Sequence, residues 1–122
     1  MAGGDVAVAD LPGGPRLDLT ALPFLTIDPP GSLDLDQAMC LERAAAGFRV
    51  RYAIADVAAF VAPGGRLDAE THRRAETSYF PDRRVPLHPP VLSEGAASLL
   101  PGVDRAAVLW RIDLDSAGLP VE

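Results

Sequence analysis

The chain has 122 residues, enough for one modest core. Nearly half of it (48%) is apolar, which excludes a disordered tail by composition. Its net charge of −6 speaks against a polyanionic ligand, yet every basic residue is an arginine, in clusters such as Arg49/Arg51, Arg73/Arg74 and Arg83/Arg84, and a cation bound by carboxylates would reverse the local sign. No apolar stretch is long enough to span a bilayer, and Met1 is followed by small and acidic residues rather than a basic and apolar leader, so a non-membrane, cytoplasmic protein is expected. Cys40 is the single cysteine; it forms no internal disulfide and reads as buried and inert.

Residues 1–23 run through Gly3-Gly4, Pro12-Gly13-Gly14-Pro15 and Pro23 without a sustained period and read as a leader or linker. Phe24 to Ile27 is a short apolar strand that feeds a loop at Asp28, where Pro29-Pro30-Gly31-Ser32 forbids helix and enforces a turn. Ala38 to Leu41 and Arg49 to Ile54, separated by Ala45-Ala46-Gly47, form a β-hairpin with one covered face. Val50, Tyr52 and Ile54 point one way and Arg49 and Arg51 the other. Asp68 is placed to cap a helix running to about Ala75, with Glu70 in its first turn. Residues 78–103 hold five prolines and little period, which predicts an extended, ordered loop. Ala107 to Leu114 alternates again as a strand, and its antiparallel partner is expected after the turn at Asp115-Ser116-Ala117-Gly118. The sum is an α+β fold: a mainly antiparallel sheet, one or two short helices and a long proline-rich loop.

Asp28, Asp34 and Asp36 bring three carboxylates into nine residues of this bent loop. Two unpaired carboxylates about 5 Å apart repel by roughly 3 kcal/mol at an effective dielectric of about 20, so three together favour a bound cation. Hard oxygen ligands without histidine or cysteine select Mg²⁺, or Mn²⁺, over zinc. Such a site, keeping waters and accepting phosphate oxygens, suits phosphodiester hydrolysis. An acidic surface turn, a sugar-transferase triplet and an aspartyl-nucleophile phosphatase share the bare pattern; the last wants its first aspartate directly at a strand end, where Pro-Pro-Gly-Ser intervenes here.

The longer string Phe24-Leu-Thr-Ile-Asp28-Pro-Pro-Gly-Ser-Leu-Asp34-Leu-Asp36-Gln-Ala resembles the signature of the RNB domain, the catalytic domain of ribonuclease II and ribonuclease R. The blocks Tyr52-Ala-Ile-Ala-Asp56, Gly64-Gly-Arg-Leu-Asp68, Thr77-Ser-Tyr79-Phe-Pro81 and Pro86 through Arg105 agree in order and spacing, so the resemblance covers roughly residues 24–115. It implies a hydrolytic, Mg²⁺-dependent 3′→5′ exoribonuclease that acts on single-stranded RNA and releases 5′-mononucleotides. Asp28, Asp34 and Asp36 match three of the family's four acidic positions, with Asp36 the one its chemistry depends on most. The fourth position is Gln37, whose amide oxygen still serves a cation but with less charge. Tyr79 matches an aromatic that stacks on bases near the RNA 3′ end.

From the residues themselves, Arg83 and Arg84 are weaker candidates for phosphate contacts, as are Arg73 and Arg74. Asp56 is expected to hold a turn, His72 and His88 to do nothing specific, and Asp113 and Asp115 to lie on an exposed strand face and turn. The RNB domain is much longer than this chain, so residues 24–122 are expected to be the N-terminal part of a catalytic domain, with the family's downstream arginine and flanking barrels lying outside it. No obligate protein partner is evident. A non-catalytic RNA-binding remnant and a truncated, inactive product are the competing readings.

Overall fold

The computed structural model describes residues 11–121. Its main body is a three-stranded antiparallel sheet in the order β1-β2-β5, where β1 is Gln37–Ala44, β2 is Gly47–Ala55 and β5 is Ala107–Asp115. β1 and β2 are the expected hairpin, with Ala45 and Ala46 at its tip and Ala44 facing Gly47. Gly47 is required there, because a Cβ would collide with the β5 backbone at Leu114 and Asp115. The other elements are α1 (Arg66–Arg74), β3 (Ser78–Tyr79) and β4 (Arg84–Val85), the last two paired as a minimal hairpin.

Several expectations are corrected in detail. β5 pairs antiparallel along its whole length with β2, an earlier strand, and the partner expected after the turn is present as a short antiparallel return, with Val121 N–H bonded to the Asp113 carbonyl at 2.9 Å. After β5 the turn at Asp115 closes on Leu119, and Pro120 bridges back to Leu114. Phe24 to Ile27 is not a strand but an extended run with a single bridge, Leu25 to Met39. Helix α1 begins two residues before Asp68, with Gly65 as its cap. Asp68 sits in the first turn and accepts a hydrogen bond from the Gly64 N–H at 2.8 Å. An acid three residues into a helix reaches back to an orphan N–H, so the polarity reading holds while the boundary moves. The segment 78–103 carries the β3–β4 hairpin and a short π-helical turn at Leu92–Ala96 instead of plain loop.

The covered face of the sheet is the one that carries Arg49 and Arg51. Ala38, Cys40, Ala53 and Ala55 are buried and share that face by register. Arg49 avoids an unpaired charge by standing between Glu42 and Asp113, its direct cross-strand neighbours. Arg51 also pairs with Glu42, at 2.8 Å. The opposite face presents Leu41, Phe48, Ile54, Val108, Trp110 and Ile112, and Trp110 stays 59% exposed. Leu11, Leu35, Leu92, Ala97, Ser98 and Ala106 complete the buried set among the described residues, drawn from the segments that lead into and between the strands.

Residues 11–23, read from sequence as part of a leader, have no regular structure but are tied down. Leu11 is buried and the Arg16 guanidinium pairs with Asp56 at 2.8 Å. Residues 1–10 lie outside the described part. Cys40 is free and buried, as expected.

Candidate functional site

The acidic loop is shaped by its own sequence. Pro29 accepts a hydrogen bond from Ser32 N–H at 3.1 Å, with Gly31 at φ 88° between them. That positive φ at the third residue of a four-residue turn is where glycine is needed, and Pro30 before it supplies the preset φ. The reversal turns the chain from Asp28 back toward Asp34. Leu25 bridges Met39 through two backbone bonds of 2.9 and 2.8 Å, which lays the Asp28 arm against β1. At the other end the Asp36 carbonyl accepts from Ala55 N–H at 2.9 Å, so Asp36 stands where β1 leaves the loop.

Asp28, Asp34, Asp36 and Gln37 line one cleft of about 320 Å³ together with Leu25, Ile27, Ala38, Met39 and Tyr52. Asp36 feels its neighbours. Partial loss of water holds its carboxyl above the usual aspartate range, and the negative charges of Asp34 and then Asp28 push the same way, while His88 opposes them. Although Asp36 counts among the exposed residues by surface area, the carboxyl group itself is crowded enough to lose hydration.

Asp34 is engaged by Arg84, whose guanidinium lies 2.8 Å from it and also grips Glu94. Gln37 accepts a hydrogen bond from the Tyr52 hydroxyl at 2.7 Å, so its amide oxygen faces the cleft with one lone pair already used. Tyr52 therefore joins the site, Glu94 is linked to it through Arg84, and His88 acts on it only through its charge near Asp36; no sequence signal pointed to the last two. Tyr52 was legible only as one member of an alternating strand.

Among the described residues, no group of three or more histidine, cysteine, aspartate or glutamate side chains is gathered tightly enough to hold a metal ion by itself. The donors fit an open magnesium site rather than a closed cage. Mg²⁺ sites in general use one or two carboxylates plus waters and phosphate oxygens, and the carboxylate repulsion that adds to lost hydration in raising Asp36 is what a cation would relieve. The oxygen-only donor set agrees with that choice of metal.

The remaining candidates fall around this cleft or away from it. Tyr79, on β3, is 74% exposed and free to stack. Arg83 lies over the Phe80 ring, 4.9 Å from its centroid, and pairs with Asp82. Arg84 is occupied by the two carboxylates named above. Arg73 and Arg74 both pair with Glu70, whose carboxyl they hold down at about 2, Arg73 contributing first. Asp56 closes a short turn at Val57–Ala59, accepting from Ala59 N–H, which is the role expected of it. His72 binds the Asp68 carbonyl within α1. Asp113 is not a bare surface charge: Arg49 and Arg111 both hold it, and its carboxyl lies below the usual range chiefly through Arg49. Asp115 caps the turn that follows β5 by accepting from Ala117 and Leu119.

The comparisons with known proteins bear on the family of the chain. The chain is 44% identical over 103 residues to Ribonuclease R of Acidithiobacillus ferrooxidans, covering 84% of this chain and 24% of that protein. It is 42% identical over 108 residues to Exoribonuclease 2 of Aeromonas hydrophila, covering 88% of this chain and 16% of the other. The solved structure of Mycoplasma genitalium RNase R in complex with ribose methylated single-stranded RNA superposes with a TM-score of 0.87 at 33% identity, over 96% of this chain and 18% of that one. The chain thus spans less than a quarter of the length of each. The family model described as RNB domain matches residues 16–121, and with the acidic turn, the hairpin and the cleft between them in place, the chain belongs to the RNB domain family.

Proposed function

We propose that this chain carries the carboxylate part of the active site of a hydrolytic 3′→5′ exoribonuclease that uses Mg²⁺ and takes single-stranded RNA. The observation that supports it most is the cleft lined by Asp28, Asp34 and Asp36, in which Asp36 is pushed up first by lost hydration and then by the other two. Asp36, Asp34 and Asp28 would hold the cation, with the Gln37 amide oxygen as a neutral addition. A bound Mg²⁺ supplies an activated water and charge stabilisation for the leaving oxygen. The chain's own groups then position the donors. The Tyr52 hydroxyl fixes the Gln37 amide, and Leu25, Ile27 and Met39 line the cleft beside the carboxylates.

Tyr79, exposed beside the Arg84 arm, offers an aromatic face to an unpaired base, and stacking on any base is sequence-tolerant. A cytoplasmic setting fits the single buried, unpaired cysteine. Among the described residues no helix is long and apolar enough to cross a membrane.

A second reading, an RNA-binding unit without chemistry, is favoured by one feature. Arg84 neutralises Asp34, and an amide stands at position 37, so the cleft offers a cation less charge than three free aspartates and a fourth acid would. One experiment separates the two. Residues 16–121 replace the matched segment of Ribonuclease R from Acidithiobacillus ferrooxidans, and the chimera is incubated with Mg²⁺ and end-labelled single-stranded RNA. Stepwise release of mononucleotides, abolished by Asp36→Asn with RNA binding retained, supports the exoribonuclease. RNA binding with no Mg²⁺-dependent release supports the non-catalytic reading.

A further inference from the structure

We propose that Ser98 is the positioning residue that sets the Asp34 carboxylate in the cleft. Ser98 is 1% exposed and is the buried polar residue of the described core. Its hydroxyl accepts a hydrogen bond from the Leu35 N–H at 2.9 Å and donates to the Leu33 carbonyl at 2.6 Å. Those two groups stand on either side of Asp34. The neighbouring Leu99 N–H adds a third bond, to the Leu35 carbonyl at 2.8 Å. A segment more than sixty residues downstream thus grips the acidic loop at three backbone atoms around one aspartate.

A hydroxyl is the smallest side chain that accepts and donates at once, which is what an N–H and a C=O two residues apart require. Ser98 is itself anchored: its carbonyl accepts from Arg105 Nε at 3.1 Å and from Leu100 N–H at 2.8 Å. Without the hydroxyl, the Leu35 N–H beside a buried side chain would have no partner on the protein, and the loop would reopen toward water to satisfy it. The Asp34 backbone would then be free to rotate its carboxylate away from Asp36. The clamp is a statement about the loop alone; its consequence for metal rests on the proposed Mg²⁺ reading of the cleft.

The test uses the whole chain with Ser98→Ala, Ser98→Thr and Leu92→Ala, the last as a buried apolar change that leaves the Ser98 hydroxyl in place. Amide hydrogen exchange at Leu35 is followed by NMR, and Mg²⁺ alone is titrated by calorimetry. Ser98→Ala is expected to speed Leu35 exchange at least tenfold beyond any change at Cys40 and to weaken Mg²⁺ binding about tenfold. Ser98→Thr, which keeps the hydroxyl, is expected to stay within about threefold of the parent in both. Leu92→Ala is expected to lower Tm while leaving Mg²⁺ affinity within about twofold.

Unchanged Leu35 exchange in Ser98→Ala overturns the proposal, as does an equal loss of Mg²⁺ affinity in Leu92→Ala. If the parent chain takes up no Mg²⁺, the metal reading falls, and Leu35 exchange alone then decides the clamp. Should Ser98→Ala not fold, Ser98→Cys replaces it, since a thiol of similar size is a much weaker donor and carries the same expectations.

Discussion

The Arg84 guanidinium lies 2.8 Å from the Asp34 carboxylate, although fifty positions separate the two residues in sequence. Arg84 is raised in pKa first by Asp34 and then by Glu94, so it serves as the internal counter-charge of the acidic loop. A divalent cation at Asp34 would have to displace that arginine or share the carboxylate with it. Arg84→Ala is therefore expected to tighten Mg²⁺ binding by about fivefold at low salt, the scale of one like-charge contact in a water-like dielectric. Calorimetry on the parent and variant checks it. Weaker binding in the variant would mean that Arg84 holds Asp34 in its binding pose rather than competing for it.

Gln37→Asp is expected to tighten Mg²⁺ binding by about tenfold, because ligand charge count tunes affinity in oxygen-ligand sites. The shorter acid also gives up the hydrogen bond from Tyr52, so Tyr52→Phe in the parent is the companion that isolates that loss. Flat or reduced affinity in Gln37→Asp, with Tyr52→Phe neutral, would place position 37 away from the cation.

Asp36→Asn is expected to raise stability at neutral pH while removing Mg²⁺ binding. The folded-state pKa of Asp36 is raised by lost hydration and by Asp34 and Asp28. A raised carboxyl gives stability that is fully present below its unfolded value, near 3.8, and is lost as pH rises through the folded value. At pH 7 the ionised group is therefore a net cost, and the neutral amide lifts it. Thermal melts of the two chains should diverge in favour of the variant at pH 7 and converge as the pH falls toward 3.8. A lower Tm for Asp36→Asn at pH 7 would show that its carboxylate is structural.

Tyr79→Ala is expected to weaken single-stranded RNA binding by about 1–3 kcal/mol, the scale of one stacked base. At 74% exposure the ring contributes little packing, so Tm should stay nearly unchanged. A stable variant with full RNA affinity, measured by fluorescence anisotropy, would remove Tyr79 from the RNA path.

Trp110→Lys is expected to reduce self-association of the isolated chain. Trp110, midway along the outer strand β5, lies on the sheet face shared by Leu41, Ile54 and Ile112, and apolar area of this kind drives contact between copies. Sedimentation velocity over a concentration series is the measurement. A parent chain that stays monomeric at high concentration would contradict the expectation.

Local sequence was enough for the parts of this protein that local physics controls. Pro29-Pro30-Gly31 forces the reversal in the acidic loop whatever surrounds it, and the Ala45-Ala46-Gly47 break between two alternating runs sets the β1–β2 hairpin. The triplet Asp28, Asp34 and Asp36 was legible because spacing and turn residues alone bring it into one bend. Helix α1 was visible, but its cap moved three residues, from Asp68 to Gly65, since Gly65 closes the first turn as readily as a side-chain cap.

Tertiary structure decided what period and spacing do not carry. Alternation along β2 separates Val50, Tyr52 and Ile54 from Arg49 and Arg51, but it does not say which side is covered. The cross-strand neighbours Glu42 and Asp113 neutralise Arg49, and the small side chains Ala38 and Ala53 let the arginine-bearing face close. Likewise, the pairing of β5 with β2, the Tyr52 bond to Gln37, the Arg84 arm on Asp34 and the Ser98 grip on the loop all join residues far apart in the chain. Such contacts depend on how the segments pack against one another, and a window of ten residues contains neither partner's position.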